Sequence, residues 1–125
     1  MLSRTAFKPR RQNSHRADDW KRAPGFLQWL RSRPCLFADK GGCDGKIVAA
    51  HVDYAGGKGM GTKVEDRHAV PMCGGPNGHH AAQHRWGWKS FEANFGMSPG
   101  DTALAAEAYW NAWPGRRAWE EARRG

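Results

Sequence analysis

The chain has 125 residues, the length of one domain, and a net charge of +8 from 20 Lys+Arg against 12 Asp+Glu, which attracts polyanions and nucleic acid first among them. Aliphatic residues are scarce, with one Ile, four Val and five Leu, so seven Trp and five Phe must supply much of the core, and sixteen Gly imply a loop-rich domain that needs a staple. No apolar run reaches the length of a membrane span, no secretory leader is recognised and three cysteines cannot all pair, so a soluble protein of the reducing cytoplasm is expected, with no membrane partner and with cysteines serving as metal ligands before disulfides.

Residues 1–22 carry Arg4, Lys8, Arg10, Arg11, Arg16, Lys21 and Arg22 with few apolar neighbours, and read as a flexible basic arm. Pro24-Gly25 breaks the chain, and Phe26, Leu27, Trp29 and Leu30 then predict a short amphipathic helix that stops before Pro34. Residues 46–52 (KIVAAHV) predict a strand and residues 54–63 (YAGGKGMGTK) a glycine-rich loop. Residues 68–72 (HAVPM) predict a second strand with its proline at the end. Turn residues 74–78 follow, with Asn77 expected to cap a helix that carries His79, His80 and His84. Gly87 is expected to kink this helix and Gly96 to stop it. Ser98 as cap and Pro99 at the first position open another helix, which ends at Pro114, and a charged helix from Arg116 to about Arg124 closes the chain. Residues 23–96 thus form the expected main domain and 97–125 a helical extension whose tryptophans read as core.

Cys35, Cys43, Cys73 and His79 make a Cys₃His set of the kind that closes around structural zinc. The spacing is loose, with seven residues between the first pair and five between the second, and glycines at 41, 42, 74, 75 and 78 allow both loops to fold back. His80 and His84 are four apart and share one helix face, whereas His79 points about 100° away, so the neighbours serve different sites. His51 ends a strand, and in a strand-loop-strand-helix unit it can approach His80 and His84. A metal on two or three side chains keeps positions open for water and substrate, and a neutral imidazole is a natural general base. The glycine loop is not a nucleotide P-loop, because Gly61 is followed by Thr62, but Lys58 and Lys63 suit contact with a nucleic-acid backbone, as do Arg10 and Arg11 of the arm.

Residues 34–87 resemble the HNH endonucleases, whose shared element is the ββα-metal motif, and within them the recombination enhancement function (Ref) nuclease-like group of small phage and bacterial proteins. The matching segments are PC at 34–35, AAHV at 49–52, GGKGMGTK at 56–63, DRHAVPMC at 66–73 and HHAAQHRWG at 79–87. The resemblance implies that His51 activates water, that His80 and His84 hold a catalytic Mg²⁺ or Mn²⁺, and that Asp66 holds this metal or orients the base. His68 stands where many members have an asparagine, and Ala50 where many have a further metal ligand. The expectation is a small α+β protein, a zinc-stapled ββα-metal core with accessory helices, that hydrolyses DNA phosphodiesters and works beside a recombination or phage DNA-processing protein. Two alternatives are a non-catalytic zinc-stabilised nucleic-acid-binding module and a protein-docking domain built on exposed tryptophans.

Overall fold

The computed structural model describes residues 19–55 and 64–124. Arg10, Arg11, Lys58 and Lys63, the residues expected to touch nucleic acid, lie outside the described residues. Those described form a small α+β fold of one two-stranded antiparallel sheet and four α-helices. In chain order they are α1 (Pro24–Arg31), β1 (Ile47–His51), β2 (Ala69–Cys73), α2 (His79–Asn94), α3 (Asp101–Ala112) and α4 (Arg116–Arg124). Among them no helix is long and apolar enough to cross a membrane.

β1 and β2 pair with Ile47 opposite Cys73 and His51 opposite Ala69. The pairing continues beyond the strands, where the Gly74 amide donates to the Lys46 carbonyl and the Val52 amide to the His68 carbonyl. Pro71 sits in the middle of β2, opposite Ala49, and not at its end as the sequence suggested. Its carbonyl accepts the Leu36 amide, so the backbone polar groups of this residue point away from β1. The missing N–H therefore falls on the edge turned away from β1, where the pairing of the two strands loses nothing by it.

Side chains alternate across the sheet, and both faces are covered. Ala50, Val52, Val70 and Met72 join Phe37, Trp88, Phe91 and Ala106 in one cluster. Ala49 and Ala69 pack in the other with Phe26 and Leu30 of α1 and Trp110 of α3. α3 therefore belongs to both clusters, through Ala106 and Trp110. Aromatic contacts replace the missing aliphatics: Trp110 meets Phe26 edge-on at 5.1 Å and Trp119 edge-on at 5.1 Å. The Trp119 indole also donates to the Arg22 carbonyl at 2.8 Å, tying α4 to the segment before α1.

Two helix starts differ from the sequence reading. α2 begins after Gly78, which has no side chain to cap it, and Asn77, one residue earlier, donates its backbone amide to Asp44 Oδ2 at 3.0 Å. A Cβ at Gly78 would stand 2.9 Å from Cys73 Sγ and 2.7 Å from the Asp44 carbonyl, so only glycine fits this turn. α3 begins at Asp101 after Gly100, and Ser98 and Pro99 form the turn before it, where the Ser98 amide donates to the Asp101 carboxylate at 2.9 Å. The expected break at Gly87 is present, with φ +78° inside α2.

Candidate metal centre and histidine sites

Cys35, after α1, Cys43, before β1, Cys73, the last residue of β2, and His79, the first residue of α2, bring their ligand atoms within 4.8 Å of one another. His79 Nδ1 lies 3.5, 3.7 and 3.1 Å from the sulfurs of Cys35, Cys43 and Cys73. A tetrahedral zinc with ordinary Zn–S and Zn–N bonds separates such atoms by about 3.6 Å, so the four can hold a metal ion and are compatible with structural zinc. The loose spacing is closed by Asp44, whose carbonyl accepts the Gly75 amide at 2.7 Å and so folds the Cys43 loop onto the turn before α2.

Backbone amides point at the sulfurs. Cys73 Sγ accepts the His79 amide at 3.1 Å, and Cys35 Sγ accepts those of Phe37 and Cys73 at 3.4 Å. Burial opposes the Cys73 thiolate, but the amide hydrogen bonds and the neighbouring thiols outweigh it and hold this thiol below its usual value. Burial pushes Cys35 up. Cys43, though exposed as a residue, is pushed up to about 12 by desolvation of its sulfur and by the two adjacent thiols. A metal must therefore displace protons from Cys35 and Cys43 as it binds.

His51, half-exposed at the end of β1, lies with Nε2 2.9 Å from Asp66 Oδ1. Asp66 Oδ2 accepts the Ala23 amide at 2.8 Å, at the start of α1, and the Asp66 amide donates to the Lys21 carbonyl. Burial opposes the Asp66 carboxylate, yet the bonds from His51 and Ala23 prevail and its pKa is lowered. An ionised Asp66 can only accept, so Nε2 carries the hydrogen and the lone pair of neutral His51 resides on Nδ1.

His80 and His84 face each other across one turn of α2 with their Nε2 atoms 3.1 Å apart. Two nitrogens bound to one cation at ordinary metal–nitrogen lengths lie roughly 3.0–3.4 Å apart, so the pair fits a shared ion. Burial, and then the proximity of His84, lower the His80 pKa and keep it neutral, as a ligand must be. Among the described residues only the Cys₃His cluster unites three or more such ligands. Asp66 and His51 are thus engaged with each other and do not complete a set with His80 and His84. Ala50 is 1% exposed, packed in the core. His68 lines a separate hollow of about 430 Å³ with Glu65, Arg67 and Glu107, and burial lowers its pKa.

Sequence reasoning missed one network. Glu92, on α2, is 2% exposed and accepts the Tyr54 hydroxyl at 2.5 Å and the amides of Gly100 at 3.3 Å and Thr102 at 3.1 Å. Its charge meets the positive end of α3. Burial raises the Glu92 pKa, but these hydrogen bonds outweigh it and the net shift is downward. Burial and the bond to Glu92 push Tyr54 up to about 12. A glutamate beside aromatics carries no sequence signal that it caps a helix eight residues further on. No protein-family model, curated protein or solved structure matches this chain.

Proposed function

We propose that this protein is a metal-dependent endonuclease of the HNH type that hydrolyses DNA phosphodiesters. The observation that carries the reading is the Asp66–His51 pair, which leaves an imidazole lone pair at the half-exposed end of β1. Asp53 and Tyr54, two and three residues beyond His51, line the same cavity as His84, so the strand end and the helical histidine border a common space. In this reading His51 Nδ1 takes a proton from water as the water oxygen bonds to phosphorus and the bond to the 3′-oxygen breaks. Asp66 holds the ring and stabilises the imidazolium that forms. His80 and His84 offer two neutral nitrogens to a divalent ion such as Mg²⁺ or Mn²⁺. That ion, when bound, supplies Lewis acidity to the phosphate and the leaving oxygen. The Cys₃His cluster, with zinc, fixes the start of α2 and hence the direction of both helix histidines.

The test is a plasmid-nicking assay with Mg²⁺, Mn²⁺ and Ni²⁺ on the zinc-loaded chain. Nicking that His84→Ala removes, and that excess metal partly restores, supports the reading; no nicking with any ion sinks it. The buried Ala50, at the position of a further metal ligand, favours a second reading: a zinc-stabilised nucleic-acid-binding module with no cleavage. It keeps the basic charge and the same cluster, and binding that falls with salt and never leads to a nick would support it.

A further inference from the structure

We infer that the cavity between the end of β1 and the kink of α2 is a subsite for one unpaired nucleobase, so that the substrate is single-stranded DNA or DNA with an extruded nucleotide. This rests on the nuclease reading and deepens it. The cavity, about 530 Å³, is within the size range of small-ligand pockets and is lined by Asp53, Tyr54, Gln83, His84, Trp88 and Lys89. It opens where Gly87 interrupts α2, and a Cβ built there meets nothing within 4 Å.

Three features select a base as the occupant. The first is aromatic: Tyr54, 39% exposed, stands edge-on to the buried Trp88 at 6.0 Å. Its ring is fixed in advance, because its hydroxyl donates to Glu92 and accepts the Ala103 amide at 3.2 Å. A rigid, half-exposed ring is a stacking platform that loses little entropy on binding. The second is polarity. Asp53 and Gln83 offer acceptors and donors suited to exocyclic amines and ring edges, while two acidic residues in the lining, Asp53 and Glu92, disfavour a phosphate inside. Lys89, exposed in the same lining, suits a phosphate outside it. The third is continuity, since His84 belongs both to this lining and to the 3.1 Å histidine pair. A base held here brings its own backbone alongside that pair. A paired base cannot enter, because its face is stacked and its edge is occupied.

The experiment measures binding of the full, zinc-loaded chain to labelled DNA without added divalent ion, so that it does not depend on cleavage. The probes are a short single strand, a duplex of the same length and a strand whose sugars are abasic throughout. The single strand should bind more tightly than the duplex, and the abasic strand more weakly by about 5- to 150-fold, the worth of one stacked base. Tyr54→Ala should lose a similar factor for the single strand only, and Tyr54→Phe, which keeps the ring but not the bonds that fix it, should lose less. Should Tyr54→Ala fail to fold, the abasic comparison decides alone. An abasic strand that binds as well as the base-bearing one overturns the subsite. Selective binding without cleavage keeps the subsite and sinks the nuclease; cleavage indifferent to Tyr54 and to bases does the reverse; no binding to any DNA overturns both.

Discussion

His79 and His80 are adjacent in the chain and belong to two sites of opposite character. His79 turns inward, 4% exposed, into a closed set of four ligands gathered at the end of the sheet where Ile47 pairs with Cys73. His80, partly buried, points elsewhere and lies beside His84, their Nε2 atoms 3.1 Å apart. The difference is the 100° between successive helix positions. A closed site uses all its ligands on the ion and has nothing left for chemistry, whereas an open pair leaves positions for water and substrate. In the proposed reading the two regions divide stability from reactivity within one turn of helix.

The largest expected effect breaks the closed site. Zinc in small units contributes about 10–16 kcal/mol to folding, more than the whole stability of most domains. Strong chelation, or Cys73→Ser, should therefore unfold the chain, seen as loss of circular dichroism and of tightly held zinc. A zinc-free chain that stays folded after dialysis against chelator would overturn this role of the cluster. The open site should respond in rate and not in fold. His51→Ala should lower cleavage on the order of 10²–10⁴-fold while DNA binding and zinc content persist, because a general base acts on water in the transition state. Cleavage by His51→Ala at the wild-type rate would move the base elsewhere.

A third effect concerns Glu92, which ties the segment after β1 to α2 and α3. Glu92→Gln should cost about 1–3 kcal/mol in urea unfolding, since charge-assisted hydrogen bonds to two amides are weakened. The Glu92 pKa is lowered on folding from 4.5, so its contribution is complete above that value and is lost as pH falls through the lower folded value. The gap between wild type and Glu92→Gln should narrow over that acid range, and a gap unchanged there would show that the charge is immaterial. The smallest effect is spectroscopic. Tyr54 is raised from 10 to about 12, so the neutral phenol stabilises the fold below 10 and that contribution fades as pH approaches 12. Ultraviolet titration should show a tyrosine ionising near 12 that Tyr54→Phe removes; a first-phase tyrosine near 10 that disappears instead would contradict the bond to Glu92.

The comparison of the two sites also shows what could be read early. The Cys₃His set was legible because cysteine and histidine have few other uses in such density, and spacing needed only flexible loops. The separation of His79 from His80 and His84 followed from helical periodicity alone. The partnership of Asp66 with His51 was only one of two options, because the two stand fifteen positions apart in the chain and nothing local fixes their meeting. Pro71 was misplaced within β2 because its tolerance depends on which edge of the strand faces β1, a matter of pairing and not of composition. The start of α3 was misplaced because Ser98-Pro99 matches a local capping pattern, while the structure uses Gly100 and a buried glutamate from another helix.

The sequence by itself determined the helical segments, the strand pair, the cluster that can hold a metal and the dependence on aromatic packing, since these follow from periodicity, residue chemistry and counts. Only the tertiary structure decided the rest. It directed Trp110 onto Phe26, gave the Ala23 amide to Asp66, and set the Glu92 carboxylate against the first turn of α3. Each of these joins residues far apart in the chain, where the energy depends on distance and orientation in space and leaves no mark on neighbouring residues.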